Sequence, residues 1–504
     1  MIEPSPPVVL AIGGSDSAGM AGIQMDARVI HALGGHAATA ITATTAQHSY
    51  AVDGLHPVSA DALAGQLKAC MALSPAAVKI GMLANPVQVD VCAQVLAHRA
   101  VPMVIDPVMV SSSGHTLVDD RTREAIRRTL LPLCTVVTPN LPEAEAWLKQ
   151  PLGGPEDIER AATDICRSAR CAVVIKGGHG ASHLSSDHVR HPTETQSPNR
   201  YWLNARRLPA RHRRGTGCAF ACATATGLAL GYPLDDALVI ARMAIHQGLR
   251  HGYGVAGDSG PANIRHFPSN SESLPGLHCR AQEAGPPFAD CGPTPLGLYP
   301  IVDRARWLAT LLPLGITTVQ LRIKDLTGDA LAAELKAGTD LARRHGARLF
   351  INDHWRLAID LGAYGVHLGQ EDLDSADLEA LRAANLRLGI STHCHHEVAR
   401  AHHLRPSYMA FGPVYATATK DMPWIPRGPA GFRYWRNVLR GYPLVAIGGI
   451  NAARLPAVAA AGADGIALIS AITGAPDPVT ETQGLLQAFN RATPSTETGY
   501  ASAK

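Results

Sequence analysis

The chain has 504 residues, of which 46% are hydrophobic and 17% are charged, and its formal net charge is +3. This length predicts two or three domains with substantial cores, and the lack of a concentrated basic field argues against nucleic-acid and membrane-surface partners. The ten cysteines contain no CxxC pair, and the N-terminus has no basic stretch before its short apolar run. We therefore expect a cytoplasmic protein without disulfides, signal peptide or membrane span.

Residues 1–267 alternate short apolar, β-branched runs with Ala- and Leu-rich stretches, which is typical of βαβ units around a parallel sheet. The stretches between the runs vary in length, and this irregularity favours an open α/β sheet flanked by helices over a barrel. The buried strands predicted in this half are Val8–Ile12, Ala77–Ile80, Pro102–Ile105, Thr135–Val137 and Ala172–Ile175.

A glycine-rich segment, Gly13–Gly22, follows the first predicted strand. Paired glycines allow a backbone to approach a ligand closely, and they also occur in plain tight turns. Both interpretations stay open from these residues alone. The chain contains no GxxxxGK[ST] motif, which excludes a Walker P-loop.

A stronger signal is Gly215-Thr216-Gly217-Cys218, which precedes a helix of small residues predicted over Ala219–Leu230. The free N–H groups and the dipole of such a helix start form an anion site suited to a transferring phosphoryl group. Cys218 lies in the first turn, where we expect the dipole to lower the pKa of the thiol. A buried packing cysteine is the alternative interpretation.

Residues 268–294 are rich in Pro, Gly and Ser and have neither helical nor strand periodicity. This composition predicts a flexible linker between residues 1–267 and 295–504. Each flanking segment is long enough to form its own core. We therefore expect the chain to divide into two domains here.

Residues 295–504 are more regular than the first half. Eight strand-like runs alternate with helical segments, and this repeat predicts a (β/α)8 barrel, the TIM-barrel fold. The runs are Gly297–Val302, Thr317–Leu321, Arg348–Ile351, Gly365–Leu368, Arg387–Ile390, Tyr408–Phe411, Leu444–Ile447 and Gly465–Ile469.

Polar residues and glycines follow nearly every run, at the barrel end where active sites lie. Gly448-Gly449 and Ile469-Ser470 follow the last two runs, which is the usual place for a barrel phosphate site, although two tight turns would have the same pattern. Asp353 and Asp372 end neighbouring runs and could hold Mg²⁺ on a polyphosphate, although each alone is equally consistent with a solvated acid.

Four consecutive residues, His393-Cys394-His395-His396, lack the ligand spacing of structural zinc sites. We expect one histidine of this loop to face a substrate. We expect His402 and His403 to lie on a solvated helix surface.

Eight short motifs occur in order along residues 8–266. They are Gly14-Ser15-Asp16, Ala21-Gly22-Ile23-Gln24 with Asp26, Thr45-Ala46-Gln47, Lys79–Leu83, Asp106–Met109, Thr138–Glu143, Lys176–His179 and Gly215–Cys218. Together they resemble the hydroxymethylpyrimidine kinase branch of the ribokinase-like small-molecule kinases. The chain departs from that pattern at Met20 and Arg213-Arg214, and residues 181–200 match poorly.

The resemblance implies a ribokinase-like domain that uses ATP and Mg²⁺. The residues that would line its aminopyrimidine site are Gly14, Asp26, Gln47, Met82 and Val108. Asn140 and Glu143 would organise Mg²⁺ and its waters. The residues that would contact ATP phosphates are Lys176, Gly215, Thr216 and Gly217. Cys218 would lie beside the acceptor hydroxymethyl group as proton acceptor.

A second set of motifs spans residues 297–475. They are Gln320–Lys324, Phe350–Asp353, Gly365–Asp372, Ile390–His393, Thr417–Lys420 and Ala446–Ile450. Together they resemble thiamin-phosphate synthase, which joins a pyrimidine diphosphate to thiazole phosphate and releases pyrophosphate.

The second resemblance also implies residue roles. The pyrimidine diphosphate would be bound by Gln320, Leu321, Arg322, Ile323, Lys324, Asn352, Ser391 and Lys420. Mg²⁺ would be bound by Asp353 and Asp372. The thiazole phosphate would be bound by Thr417, Ala418, Thr419, Gly449, Ile469 and Ser470. Lys420 and Arg322 would also neutralise the leaving pyrophosphate.

The two resemblances describe successive enzymes, because the product of the first is the substrate of the second. The expected partners are small molecules: the aminopyrimidine, ATP and thiazole phosphate. The residues leave open whether the chain forms a homo-oligomer. They also leave open two alternatives for the first half, a pyridoxal kinase and a pyrimidine-sensing module without catalysis.

Overall fold

The computed structural model of the protein describes residues 5–48, 51–97, 99–108, 118–180, 182–192, 199–257, 259–416 and 428–492. The chain divides into two compact units, one comprising Met1–Pro268 with Ser273–Glu283 and the other Ser269–Glu272 with Ala284–Lys504. Each unit has its own sheet. Within the described ranges no helix is both long and apolar enough to cross a membrane.

One sheet of ten strands organises the first unit. The strands are β1 (Val8–Asp16), β2 (His36–Gln47), β3 (Val52–Pro57), β4 (Ala77–Ile80), β5 (Met103–Ile105), β6 (Val136–Val137), β7 (Ala172–Ile175), β8 (Leu184–Arg190), β9 (Arg200–Arg206) and β10 (Gly276–His278). Their order is β10-β9-β8-β7-β6-β5-β4-β1-β2-β3, parallel from β7 to β2 and antiparallel at both edges. The predicted open α/β sheet is confirmed.

Helices of the first unit connect these strands. They are α1 (Gly22–Ala32), α2 (Ala60–Met71), α3 (Pro86–Leu96), α4 (Asp120–Ala125), α5 (Leu141–Leu148), α6 (Pro155–Ala169), α7 (Thr216–Ala229) and α8 (Leu234–Arg250). The predicted small-residue helix is α7, and it begins three residues earlier than expected. Its small side chains allow it to be buried against α1, α8 and the sheet.

The sequence pattern located β1 and β4–β7 but missed β2, β3 and β8–β10. β2 consists mainly of alanine and threonine, which form no contiguous apolar run. β8 buries polar side chains, among them Asp187 and His188. These strands are held by pairing with neighbours, which hydrophobic runs do not reveal.

Eight parallel strands close into a barrel in the second unit. They are β11 (Gly297–Val302), β12 (Thr318–Leu321), β13 (Arg348–Asn352), β14 (Gly365–Leu368), β15 (Arg387–Thr392), β16 (Tyr408–Phe411), β17 (Leu444–Ala446) and β18 (Gly465–Leu468). The predicted (β/α)8 barrel is confirmed, and each predicted run ends within two residues of an observed strand end.

The helices around the barrel are α9 (Ala305–Leu311), α10 (Gly328–Arg344), α11 (Trp355–Asp360), α12 (Leu378–Ala383), α13 (His395–Leu404), α14 (Gly428–Val438), α15 (Leu455–Ala460), α16 (Ser470–Thr473) and α17 (Pro478–Ala492). Aromatic rings of Tyr299, Phe350 and Tyr408 pack together inside the barrel. Gly389 makes room for them, because a Cβ there would lie 2.1 Å from Cζ of Tyr408.

The segment 268–294 differs from the flexible linker that its composition predicts. Gly276–His278 pairs antiparallel with β9, and Leu277 is buried. Phe288 and Cys291 are buried in the second unit, where Arg348 donates a hydrogen bond to the Cys291 carbonyl at 3.2 Å. Backbone pairing and burial therefore order parts of a segment that has no periodic pattern.

Candidate active sites

Close contacts explain the two glycines at the start of α7. Gly215 has a φ of 75°, and a Cβ there would lie 2.3 Å from a backbone oxygen. At Gly217 a Cβ would lie 3.4 Å from Asp106 Oδ2 and 3.6 Å from Lys176 Nζ. Since α7 begins at Thr216, its first turn presents N–H groups that have no partner within the helix. The fold therefore brings Lys176 to the predicted anion site.

Lys176 forms a nearly buried ion pair with Asp106. The Lys176 Nζ lies 2.8 Å from Asp106 Oδ1, and the two side chains are 11% and 3% exposed. Burial favours the neutral amine, but Asp106 and Glu143 outweigh burial and raise the pKa of Lys176 above its ordinary value. The ammonium group is therefore charged and held in place. The motif that contains Asp106 did not indicate a role for it, although its position directly after a predicted strand was a usable signal.

Asn140 and Glu143 form a capping box at the start of α5. The Asn140 Oδ1 accepts from the Glu143 N–H at 2.9 Å, and Glu143 Oε2 accepts from the Asn140 N–H at 2.8 Å. Asn140 also forms a backbone bridge with Lys176. The residues predicted for Mg²⁺ and for ATP thus lie next to each other.

The Cys218 thiol does not have the lowered pKa that its helix position predicts. Burial raises the pKa of Cys218 to about 12, while Lys79 acts in the opposite direction with a smaller effect. Near neutral pH the side chain is therefore a protonated thiol. Asp26 and Asp106 also raise the pKa of the thiol, and the residue itself is half-buried.

Asp26 lies beneath the expected aminopyrimidine site rather than along its surface. The residue is fully buried, and Asp26 Oδ2 lies 2.7 Å from Lys79 Nζ. Burial raises the pKa of Asp26 to about 6 although Lys79 lowers it, and Asp26 outweighs burial to raise the pKa of Lys79. Asp26 Oδ1 has no hydrogen-bond partner within the described part of the chain. This buried pair was not predicted.

Three residues of the predicted aminopyrimidine site do come together. A Cβ on Gly14 would lie 2.6 Å from Cε of Met82, so the missing side chain makes room for the methionine. Met82 packs in an apolar cluster with Val118, against which Val108 also packs. Gln47 is held separately, because its backbone N–H donates to Ser17 Oγ and its carbonyl accepts from the same hydroxyl, each at 2.8 Å.

A cavity of about 1080 Å³ opens at the carboxyl ends of the barrel strands. The residues predicted for this half that line it are Gln320, Arg322, Lys324, Asn352, Asp353, Asp372, Ser391, Gly449, Ile469 and Ser470. The predicted contact of Leu321 and Ile323 with the pyrimidine diphosphate is corrected, because both side chains are buried away from the cavity. Leu321 packs toward α10, as alternate residues of a strand face opposite sides. Thr417, Ala418, Thr419 and Lys420 lie outside the described residues.

The two predicted metal ligands lie side by side. Asp353 has a φ of 63° and pairs with Lys324. Asp372 Oδ2 accepts from the Gly369 N–H at 3.2 Å. Burial, and then Asp353, raise the pKa of Asp372. Two neighbouring carboxylates, one of which raises the pKa of the other, form a favourable place for a cation.

Arg454 closes the glycine turn that was predicted to bind phosphate. Gly448 and Gly449 have φ values of 100° and 62°, and a Cβ on Gly449 would lie 2.4 Å from a backbone oxygen. The Arg454 Nη1 donates to the Gly449 carbonyl at 2.6 Å, and its guanidinium lies 4.6 Å from the centre of the Tyr415 ring. Arg454 lines the cavity but was not singled out by the sequence.

A buried histidine, also missed, links two predicted ligands. His367 Nε2 lies 2.8 Å from Ser391 Oγ, and Nδ1 lies 2.7 Å from the Tyr408 hydroxyl. That hydroxyl is 2.7 Å from the Tyr299 hydroxyl, which accepts from Gln320 at 3.4 Å. Burial lowers the pKa of His367 to about 4, so the ring is neutral at pH 7. Its inward position follows from the alternation of β14, which was the available signal.

The residues of the histidine-rich loop contact different partners. His393 Nδ1 lies 2.7 Å from Glu397 Oε2, and both residues line the cavity. His395 Nε2 lies 2.7 Å from the Tyr434 hydroxyl. His393 is therefore in the position expected of a substrate-facing histidine.

Of the two histidines that we expected on a solvated helix surface, His403 is buried and His402 is half-buried. His403 is 3% exposed, and burial lowers the pKa of His402 to about 4. His402 Nδ1 lies 3.0 Å from the Tyr442 hydroxyl. That expectation was wrong, because α13 turns these residues toward packed neighbours.

Comparison with known proteins matches each unit separately. Residues 16–263 match the family model of phosphomethylpyrimidine kinase, and residues 298–472 match that of thiamine monophosphate synthase. The thiamine-phosphate synthase of Serratia proteamaculans is 52% identical over 195 residues, which cover 39% of this chain and 92% of that protein. The enzyme of the same name from Shigella boydii serotype 4 is 53% identical over 200 residues, covering 39% and 95%.

Two solved structures are similar to the first unit. A phosphomethylpyrimidine kinase from Clostridium difficile is 29% identical, with a TM-score of 0.42, and the match covers 48% of this chain and 98% of that one. A pyridoxal kinase from Staphylococcus aureus is 28% identical, with a TM-score of 0.48, and the match covers 55% and 98%.

Proposed function

Because the chain belongs to the phosphomethylpyrimidine kinase family through its first unit and to the thiamine-phosphate synthase family through its second, we propose how each site performs its reaction. The first unit phosphorylates hydroxymethylpyrimidine and its phosphate. The second joins the diphosphate to thiazole phosphate. The observation that supports the assignment of sites is the position of the cations: Lys176 lies at the start of α7, and Arg322 lies with the paired aspartates in the barrel cavity.

In the kinase, Lys176 and the first turn of α7 bind the ATP phosphates. Phosphoryl transfer depends mainly on positioning and charge neutralisation. The Lys176–Asp106 pair supplies a cation that does not need to move. Asn140 and Glu143 carry oxygen ligands of the kind that Mg²⁺ prefers and adjoin Lys176, so these two would hold the metal. Bound Mg²⁺ would offset the negative charge of the phosphates.

The acceptor hydroxymethyl group would lie beside Cys218, near the apolar wall of Met82 and Val108. Since the Cys218 pKa is raised to about 12, a thiolate base in the resting enzyme is not supported. We assign the thiol to hydrogen bonding with the acceptor oxygen. No strong base is required, because the acceptor hydroxyl proton can pass late in the transfer to an oxygen of the incoming phosphoryl group as the bond to ADP breaks.

In the synthase, the bond from the pyrimidine methylene carbon to the diphosphate oxygen breaks, and pyrophosphate leaves with the electron pair. The thiazole nitrogen then forms the new C–N bond. Asp353 and Asp372 fit a Mg²⁺ site, since they are neighbouring carboxylates in the cavity and Asp353 raises the pKa of Asp372. The Arg322 guanidinium makes no hydrogen bond or ion pair within the described residues, so it can receive the leaving group. Lys420 would also neutralise the charge of the leaving pyrophosphate.

A coupled assay tests both assignments. Hydroxymethylpyrimidine, thiazole phosphate and Mg-ATP should yield thiamin phosphate, and omission of any one should abolish it. Lys176→Met should block only the kinase step, whereas Lys68→Met, on the exposed face of α2, should have no effect. Turnover of pyridoxal in place of hydroxymethylpyrimidine would favour a pyridoxal kinase, and pyrimidine binding without turnover would favour a sensor.

The metal assignment has its own test. Asp353→Asn and Asp372→Asn should each raise the Mg²⁺ concentration that the synthase needs for half-maximal rate. Asp374→Asn is the matched control, because Asp374 is a nearby exposed acid that pairs with Arg400 outside the cavity. Unchanged Mg²⁺ dependence in both cavity variants would show that the metal site is wrongly assigned.

A further inference from the structure

Arg207, the residue that follows β9, holds the turn that comes after Lys176. Its guanidinium donates to four backbone carbonyls at 2.7–3.3 Å, those of Gly177, Gly178, Ser182 and Leu184. The Arg207 N–H donates to a fifth carbonyl, that of His183, at 2.8 Å. A guanidinium presents its donors in one rigid plane, so a single side chain fixes both arms of this turn.

The residue directly after Lys176 is also fixed from its other side. The Gly177 N–H donates to Asp187 Oδ1 at 2.8 Å, and Asp187 is 2% exposed. A Cβ on Gly177 would lie 2.1 Å from the Ser186 carbonyl oxygen, so no larger residue fits there. Gly177 is therefore held at its N–H by Asp187 and at its carbonyl by Arg207.

The same arginine connects two segments that meet at the phosphate site. The chain that leaves Arg207 reaches the anion turn at Gly215 eight residues later. The turn to which Arg207 donates its hydrogen bonds begins at Gly177, next to Lys176. The Lys176 ammonium in turn lies against Gly217. Arg207 thus joins the segment that carries the phosphate-binding lysine to the segment that leads to the helix start.

We propose that Arg207 is a positioning residue for phosphoryl transfer, which sets the location of Lys176 relative to the Gly215–Gly217 turn without touching ATP itself. This proposal rests on the proposed role of Lys176 as a phosphate ligand. Displacement of a binding group by about 1 Å can reduce rate by about a hundredfold. A loosened turn should therefore affect ATP use far more than use of the aminopyrimidine.

The test compares Arg207→Ala with Arg206→Ala in the full chain. Arg206 is the matched control, because it is the neighbouring arginine, is 86% exposed and lies 3.6 Å from Glu283. Arg207→Ala should lower kcat/KM for ATP by about tenfold to a hundredfold, with the KM for hydroxymethylpyrimidine unchanged. Arg206→Ala should match the unaltered protein, and synthase activity should be the same in both variants.

Two further measurements separate positioning from folding. Free guanidinium ion at millimolar concentration should partly restore ATP use to Arg207→Ala, whereas sodium chloride at equal ionic strength should not. Arg207→Lys keeps the charge and the apolar stem but lacks the planar donors, so its ATP kinetics should resemble those of Arg207→Ala.

The proposal is wrong if both alanine variants have the same ATP kinetics, or if the KM for hydroxymethylpyrimidine rises as much as that for ATP. Full activity of Arg207→Lys would also overturn it, since charge alone would then suffice. Lys176→Met, measured in the same assay, distinguishes the two levels of inference. If that variant uses ATP normally, the role of Lys176 fails, whatever Arg207 does.

Discussion

The two units arrange positive charge around their candidate sites in different ways. In the kinase unit, Lys79 and Lys176 are nearly buried, and each forms an ion pair with an aspartate on a neighbouring segment. In the barrel cavity, Lys324 is 55% exposed, and the guanidinium of Arg322 makes no hydrogen bond or ion pair within the described residues. These two lysines of the kinase unit are paired and nearly buried, whereas the cations of the barrel cavity are exposed to solvent.

Desolvation explains this difference. A buried ammonium group without a partner is strongly destabilising, so each buried lysine needs a carboxylate at contact distance. A cation at the wall of an open cavity stays hydrated until substrate replaces the water. Charge substitutions should therefore lower the unfolding free energy more in the first unit than in the second, where their main effect should be on catalysis.

The largest expected effect is on stability. Lys79→Met leaves the buried Asp26 carboxylate without its partner, and we expect the unfolding free energy of the first unit to fall by about 3–5 kcal/mol. Lys324→Met in the barrel should cost less than about 1 kcal/mol, because that pair is exposed. Urea unfolding, monitored by hydrogen exchange in peptides from β4 and from β13, measures the unfolding free energy of each unit. Equal losses would remove the contrast between the units.

The next effect is catalytic. Arg322→Ala should lower synthase kcat/KM on the order of 10²-fold, since it removes a cation from the developing charge of pyrophosphate. Its melting temperature and kinase activity should not change. Steady-state kinetics with purified pyrimidine diphosphate gives the rate, and Arg306→Ala on helix α9 is a charge-matched control outside the cavity. A destabilised Arg322→Ala protein would contradict the idea that cavity charges are solvated.

A third prediction concerns separation of the units, which we propose can function independently. A cut after Glu283 keeps β10 with the sheet, whereas a cut near Pro275 removes it and with it the buried Leu277. We expect fragment 1–275 to be less stable than fragment 1–283 by about 2 kcal/mol. Thermal unfolding and kinase assays of the two fragments test this.

Fragment 284–504 should retain synthase activity, since it keeps the buried Phe288 and Cys291. Mixing it with fragment 1–283 should rebuild thiamin-phosphate formation at saturating intermediate, and should lose speed only when the intermediate is dilute. An inactive or insoluble fragment would show that the units need each other.

The smallest effect should come from a neutral group. Cys218→Ala should lower kinase turnover by about tenfold, which is below the range of about 10²–10⁴-fold for proton-transfer groups because the thiol only donates a hydrogen bond, while synthase activity persists. Because the pKa of the thiol is raised to about 12, kinase rate between pH 7 and 9 should show no thiolate titration, and Cys218→Ser should be more active than Cys218→Ala. A rate that rises through pH 8.5 only when Cys218 is present would contradict a protonated thiol.

Sequence patterns predicted the barrel more completely than the sheet domain. Every barrel strand repeats one local unit, in which an apolar run is followed by a polar end. The pattern that predicts a strand therefore also predicts that Asp353 or Ser391 lies at its carboxyl end. The edge strands of the first unit have no such repeat. β10 lies in a Pro- and Ser-rich segment, and only its pairing with β9 makes it a strand.

The sequence by itself determined the fold class of each half, the positions of the candidate phosphate-binding turns and the set of polar residues at the barrel mouth, because these depend on periodicity and on residue type at short range. Tertiary structure alone decided which groups are charged and which line a cavity. Four features depend on residues distant in sequence. They are the raised pKa of Cys218, the buried ion pair of Asp26 with Lys79, the outward packing of Leu321 and the hydrogen bonds from Arg207 to the turn after Lys176. Hydration and contact distance, which control these properties, are set only when the distant segments pack together.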